Sequence, residues 1–586
     1  MPVQSQYPRL ELPEVDLYTF LFKQSNRAFP DSKVIYRDTT NPSRQLTYGD
    51  VAQQSAAVGQ MLSSKFGIQK GDVVALFTPN DIDFPILAFG ALSIGAIVSP
   101  ANPTYTVGEL SYQLKDCGAR LVLAHYSAIE TVRQAALDNG IDEKRVLLLG
   151  ADTSTKGNIR HYSSLLSKQS SGSKPAMPKL DPKRDLAFLV YSSGTTGRPK
   201  GVMLSHYNIV SNVLQITACE AGKLTWNGAR SIKNIPDATR ASYDSPNTGG
   251  DRLLACLPYF HIYGLTNSVI TPCFNGITTL VMAKFDIEAL CATVQNDKVT
   301  CIFIVPPMAL LLAKHPCIDK YDLSSIRMTN SGAAPLTRET QEAVFRRCGV
   351  RIKQGYGLSE TSPVSHEQQW EDWDQKIGTI GRLQPNMECK ICEVGDEAAE
   401  RDADPKEVPT GQVGEIYMRG PNIFCGYWHN EKATRECLSE DGWFRTGDVG
   451  YVDSEGDFFI TDRVKELIKY KGFQVAPAEL EGYLQQHELV DDVVVVGVNS
   501  EILGTEVPRA YIVRKGGTKA VESGDDKRII DWLAAKTVQY KRLRGGLQFV
   551  ESVPKSASGK LLRRLLKGQA QKEFTAEEKK GSRAKL

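Results

Sequence analysis

Apolar residues recur along this chain in blocks whose period switches between helix and strand. Tyr48 to Phe66 carries them at helical spacing with Thr47 positioned as N-cap, which predicts an amphipathic helix. Val73-Val-Ala-Leu-Phe and Arg120-Leu-Val-Leu-Ala are short continuous apolar runs, the pattern of strands buried on both faces. Between them, Phe84 to Gly108 holds no charged residue. Pro85, Gly90, Gly95 and Pro100 interrupt it, so it predicts a buried helix and a core strand rather than a membrane span. Leu186 to Val190 predicts a further buried strand, and Tyr207 to Ala218 a helix behind Ser205. Such alternation across residues 14–180 gives α/β layering with largely parallel sheets. Strands are also predicted at Ile326-Arg-Met-Thr, Gly414-Glu-Ile-Tyr-Met-Arg-Gly420 and Phe458-Phe-Ile. Beyond them, a helix opens with Pro477 at N1, Val493–Val498 and Ala510–Val513 are strands, and Ile529–Lys536 is a helix. Ser163 to Pro178 reads as a surface connector. Glu220 to Gly250 has no sustained period and reads as a long surface excursion.

At 586 residues the chain holds more than one domain, because single cores stop growing near ~250–300 residues. A charged fraction of 24% and a net charge of +2 are those of an ordinary globular protein. No global field selects nucleic acid or an anionic membrane as partner. The twelve cysteines are scattered, several within apolar runs, and read as small buried hydrophobes in a reducing compartment. Cys389-Lys-Ile-Cys392 has no second pair at zinc spacing and reads as strand. The N-terminus has no basic start and apolar core, hence no secretory signal.

Chemistry concentrates in a few loops. Tyr191-Ser-Ser-Gly-Thr-Thr-Gly-Arg-Pro-Lys-Gly201 joins two extended segments, and seven of its eleven residues are Gly, Ser or Thr. Its backbone N–H groups and hydroxyls suit a polyphosphate, with Lys200 as mobile charge. The lysine does not open a helix, so this is not a Walker A loop. Leu257-Pro-Tyr-Phe-His-Ile-Tyr-Gly264 is an aromatic turn, and Asn330-Ser-Gly-Ala-Ala-Pro335 is a small-residue turn that suits close approach of a flat ring. Lys353-Gln-Gly-Tyr-Gly-Leu-Ser-Glu-Thr361 sets one carboxylate among hydroxyls, an arrangement suited to Mg²⁺. Trp443-Phe-Arg-Thr-Gly-Asp448 puts a carboxylate at a predicted turn. Thr461 to Pro477 is a basic run, and Pro554-Lys-Ser-Ala-Ser-Gly-Lys560 ends on a reaching lysine.

In this order the strings resemble the signatures of the adenylate-forming (AMP-binding) enzymes, the family of acyl-CoA synthetases, 4-coumarate–CoA ligases, luciferases and peptide-synthetase adenylation domains. The resemblance runs from about Tyr48 to Arg564. It implies an α/β fold: a large N-terminal domain of layered α/β subdomains (1–461), a small mobile α+β lid (462–570) and an exposed tail (571–586). ATP or AMP would be held by Ser192, Ser193, Gly194, Thr195, Thr196, Gly197 and Lys200. Gln354, Gly355, Tyr356, Asp448, Arg463, Lys465 and Lys469 would complete that site, with Asp448 on the ribose and Lys465 as pivot. Glu360 would hold Mg²⁺, Ser359 would contact the α-phosphate, and Lys560 would neutralise charge as the acyl–phosphate bond forms. Lys284, Lys471 and Gly472 would meet coenzyme A, while His261, Tyr263, Gly332, Gly357, Pro363 and Val364 would line the acyl pocket.

The implied activity is ATP-dependent acyl- or aryl-CoA ligation: acyl-AMP and pyrophosphate form first, then the CoA thiolate displaces AMP. Aryl, arylalkanoic and medium-chain acids all suit the small glycines of the pocket. Delivery of the acyl group to a separate carrier protein, or luciferase-like oxygenation, would use the same motifs. The chain departs from the family at Ser359, where Thr is usual. It departs again at Tyr417 and Met418, where coumarate ligases carry Cys and Ile, and the 220–250 excursion looks like an insertion. The final Ala584-Lys585-Leu586 matches a peroxisomal address, with an import receptor as partner, on a tail expected to be free from Glu573 to Arg583.

Overall fold

The computed structural model describes residues 2–24, 26–166, 178–192, 199–227, 249–394, 405–471, 473–555 and 561–583. The expectations on Ser193, Gly194, Thr195, Thr196, Gly197, Gly472, Lys560 and the Ala584-Lys585-Leu586 end fall outside them.

Two large sheets carry the N-terminal region. In the seven-stranded sheet, Val73–Phe77 lies between Ile97–Ala101 and Ala119–His125, all parallel. Every residue of Val73–Phe77 is buried, which is why the run is uniformly apolar. Leu186–Ser192 follows Ile97–Ala101, and Lys200–Ser205 closes that edge antiparallel. These last two strands flank the phosphate-loop motif. The helix Tyr48–Phe66 begins with a Thr47–Asp50 capping box and packs on Asp83–Ser93, all of whose residues are buried. The charge-free stretch is thus a core helix and strand, and no described helix is long and apolar enough to cross a membrane.

In the nine-stranded sheet, Ile352–Gly357, Met328–Ser331, Cys301–Ile304 and Arg252–Ala255 run parallel. A five-stranded antiparallel sheet follows, ending in Gly414–Arg419, Phe444–Val452 and Phe458–Arg463. The C-terminal region has its own apolar core around Val490–Ser500 and Thr505–Arg514. On it pack the helices Pro477–Leu484, Asp525–Lys536 and Arg563–Arg583.

Three expectations change. The strand set at Ile326–Thr329 lies at Met328–Ser331, so Asn330 belongs to the sheet and the turn starts at Gly332. Asp448 is not at a turn: it sits inside Phe444–Val452, where Gly447 at φ 73° kinks the strand. Residues 228–248 of the excursion lie outside the described residues; its two ends are anchored, since Glu220 pairs with the buried Lys353 and Asp251, just past it, with the buried Arg327. The tail is not free from Glu573 to Arg583. It belongs to the helix Arg563–Arg583, with Ala570 and Phe574 buried and Arg509 bound bidentately by Glu577. The polar composition misled because the buried partner Arg509 is itself charged.

Candidate active site

A cavity of about 770 Å³ opens where the two large sheets, the five-stranded sheet and the C-terminal region meet. One end is lined by His261, Tyr263, Gly332, Gly357, Pro363 and Val364, the residues expected at the acyl group. His261 accepts the Tyr263 N–H at Nδ1 (3.2 Å). The Tyr263 hydroxyl donates to the Asn330 carbonyl at 3.1 Å, and its ring stands edge-on to Phe303 with centroids 5.9 Å apart. A Cβ on Gly332 would lie 3.1 Å from that tyrosine ring, so glycine keeps the slot beside it open.

Behind this wall lies a buried ion cluster that sequence reasoning missed. Lys353 Nζ sits 2.6 Å from Glu220 and 2.7 Å from Glu367, and the Asn330 amide donates to Glu367 Oε1 at 2.6 Å. Burial pushes Glu367 up to about 7 against the pull of Lys353, while Lys353 holds Glu220 below its usual range despite its burial. Two carboxylates share one ammonium, and Glu367 is the one left easier to protonate. Lys353 stood inside a quoted motif, but its partners are 133 and 14 residues away, and no spacing rule joins them.

The other end is lined by Ser192, Lys200, Gly355, Tyr356, Ser359, Glu360, Arg463 and Lys465, residues expected at the nucleotide. Asp448 is buried beside it, 2.9 Å from Arg463 Nε and accepting the Tyr356 hydroxyl at 2.5 Å. Tyr427, another residue missed from sequence, donates to Glu360 Oε1 at 2.8 Å, and its ring lies 4.9 Å from the Lys200 ammonium. The 425–428 segment pairs with the strand leaving the phosphate loop: Met203 N–H bonds Gly426 O, and Trp428 N–H bonds Gly201 O. The Gly-Tyr step within its aromatic run was the only sequence signal for Tyr427.

Gln354 is buried and turned from the cavity, its Oε1 accepting the Leu336 N–H. Lys284, Lys469 and Lys471 are exposed and outside the cavity lining. The C-terminal region contributes Val496, Gly497, Leu561, Leu562 and Arg563 instead, and Leu561 is the covalent neighbour of Lys560.

Glu360 fits a Mg²⁺ site. Only its Oε1 is given to Tyr427, and no cluster of three or more His, Cys, Asp or Glu side chains able to cage a metal occurs among the described residues. A lone carboxylate beside a triphosphate suits an ion that keeps its waters and phosphate ligands.

The sequence pattern of the AMP-binding enzymes matches residues 22–428, and that of the AMP-binding enzyme C-terminal domain matches residues 479–560. The chain belongs to the AMP-binding enzyme family. It is 36% identical to probable 4-coumarate–CoA ligase 1 of Dictyostelium discoideum over 576 residues, covering 96% of this chain and 97% of that one. It is 35% identical over 573 residues to 4-coumarate–CoA ligase 3 of Arabidopsis thaliana, covering 96% and 93%. Among solved structures, ATP-bound MatB of Rhodopseudomonas palustris shares the fold with a TM-score of 0.80 at 25% identity, over 96% of this chain and 100% of that one. The protein is therefore an AMP-forming acid–CoA ligase.

Proposed function

We propose that this ligase activates an aryl, arylalkanoic or medium-chain carboxylic acid, with a hydroxycinnamate such as the 4-coumarate of its relatives' names as first candidate. The observation that carries this reading is one cavity in which Tyr263 and Gly332 bound a flat slot while Lys200, Glu360 and Arg463 face the other end. Asp448 and Arg463 hold the ribose, Ser359 meets the α-phosphate, and the loop from Ser192 to Lys200 grips the phosphates that leave as pyrophosphate. Lys560 stabilises charge between the carboxylate and the α-phosphate. Mg²⁺ at Glu360 neutralises phosphate charge when bound. The acid's carboxylate oxygen bonds to the α-phosphorus as the bond to pyrophosphate breaks. The CoA thiolate then attacks the acyl carbon and AMP leaves.

The chain passes from body to lid just beyond the strand Phe458–Arg463, and the lid turns about Lys465 between these halves. The lining by Leu561 and Leu562, with Lys469 and Lys471 outside, fits the orientation for adenylation. Ala584-Lys585-Leu586 directs the protein to peroxisomes through an import receptor.

Initial rates of pyrophosphate release across aryl and medium-chain acids test the substrate class. Aryl acids should give kcat/KM at least ten-fold above linear acids of equal length, and the reverse order would reject the flat-slot reading. A fluorescent fusion ending in Ala584-Lys585-Leu586 should be peroxisomal, and an unchanged pattern without the tripeptide would reject the address.

A further inference from the structure

The helix Pro477–Leu484 begins without a cap of its own. Its N-cap position is Ala476, which has no side-chain acceptor, and Pro477 at N1 has no N–H to offer. The first donor of the helix, the Ala478 N–H, bonds instead to Asp462 Oδ2 at 2.9 Å. Asp462 lies on the far side of the pivot. It belongs to the strand Phe458–Arg463 of the five-stranded sheet, opposite Val449, while its neighbour Arg463 lies opposite Asp448. Successive strand residues face opposite ways. Arg463 is thus aimed at the nucleotide site, and Asp462 at the lid helix.

The surroundings make this bond selective for one lid orientation. Asp462 is 4% exposed, and its Oδ1 accepts the Arg463 N–H at 2.7 Å. Val449, Val464 and Leu467 form a small apolar cluster around the pivot, with Ala476 packed against it. The charged groups around Asp462 are Arg563, bound to Glu466 and Glu481, and those two carboxylates. Among the described residues, an ion pair that also joins body and lid, Lys314 with Asp491, is nearly half exposed at both ends and adds little. A lid turning about Lys465 would carry Ala478 away from Asp462 and leave the helix uncapped.

We propose that Asp462 is a positioning residue that holds the lid in the orientation seen here by lending, across the Lys465 pivot, the N-terminal cap that Pro477–Leu484 lacks. The inference rests on the reading that the lid turns between the two half-reactions. Its consequence is that the lid helix is better capped during adenylation than during thioester formation, so Asp462 sets the balance between the two states. Loss of a cap shifts such a balance by roughly 2- to 30-fold.

Two substitutions separate positioning from plain helix stability. Asp462→Ala removes the borrowed cap. Ala476→Ser gives the helix a cap that travels with the lid. The test measures pyrophosphate release from ATP and 4-coumarate, thioester formation from supplied 4-coumaroyl-AMP and CoA, and tryptic cleavage after Lys465 without substrate. Asp462→Ala and Ala476→Ser should each raise the ratio of thioester formation to pyrophosphate release several-fold and speed tryptic cleavage. The double variant should regain the melting temperature lost in Asp462→Ala yet keep the altered ratio. Unchanged ratio and cleavage in both single variants, or a ratio restored in the double variant, would overturn the proposal. If wild-type protein releases no pyrophosphate with 4-coumarate, the ligase reading for that acid fails instead, and the tryptic comparison still decides on Asp462.

Discussion

Arg463 and Asp448 face each other across paired strands, Nε to Oδ1 at 2.9 Å, while the Tyr356 hydroxyl occupies the other oxygen of the same carboxylate at 2.5 Å. Asp448 is therefore held from two sides before any ribose arrives. Asp448→Asn weakens both contacts and the ribose bonds assigned to it. Hydrogen bonds to a charged group are worth about 1.5–3 kcal/mol, so kcat/KM for ATP should fall roughly 10- to 100-fold. KM for the acid should change little, and steady-state kinetics with each substrate varied in turn checks this.

Two glycines of the cavity wall predict opposite outcomes. A Cβ at Gly332 would press the Tyr263 ring at 3.1 Å, a side chain that can yield. Gly332→Ala should fold normally but lose roughly ten-fold or more in kcat/KM for ring acids, the usual effect of one methyl in a pocket. A Cβ at Gly357 would lie 1.9 Å from the Pro363 carbonyl oxygen, which is backbone. Gly357→Ala should instead lose about 1–3 kcal/mol of stability or more, visible as a lower Tm without any substrate.

Glu367 makes stability depend on pH. Burial raises it from 4.5 to about 7, so the folded state binds more protons than the unfolded state between those values. Its contribution is full below about 4.5 and is lost as pH rises through 7. Glu367→Gln keeps a neutral side chain beside Lys353 and removes this loss. The unfolding free energy of the variant relative to wild type should rise from pH 5 to pH 8, by an amount on the order of 1–3 kcal/mol. A constant difference across that range would contradict the protonation assigned to Glu367.

The helix Arg563–Arg583 predicts where truncation starts to hurt. Ending the chain after Arg583 leaves every contact described for it. Ending it after Gly568 strips Glu577 from the buried Arg509, Glu573 from Tyr511 and Phe574 from the core. The loss should be about 2–4 kcal/mol, somewhat reduced because Glu577 is itself half exposed. Thermal unfolding of the two truncated proteins distinguishes these cases.

Much of the fold was legible because local signals and burial agree. Thr47 caps its helix, Val73–Phe77 is apolar throughout because both its faces are covered, and Pro477 opens its helix at N1. Two glycines of the site were legible because neighbouring groups leave little room for a Cβ, the Tyr263 ring at Gly332 and the Pro363 carbonyl at Gly357. What could not be read depends on partners remote in sequence. Tyr427 meets Glu360 from 67 residues away, and Glu220 meets Lys353 from 133. The same holds for Asp462, whose neighbours gave a basic run but whose role comes from the uncapped helix beyond the pivot. The C-terminal helix went unseen because its buried face is bound largely through charges, which mimic a solvated tail.

The central claim is that this chain joins a carboxylic acid to CoA through an acyl-adenylate. The most direct test incubates purified protein with ATP, Mg²⁺ and a panel of aryl and medium-chain acids, with and without CoA, and follows pyrophosphate, AMP and thioester by mass spectrometry. Acid-dependent pyrophosphate release without CoA is expected, together with AMP and thioester in equal amounts once CoA is added. Lys560→Ala should lose the first step while still forming thioester from supplied acyl-AMP. Absence of pyrophosphate release with every acid, or its release without any thioester when CoA is present, would contradict the account.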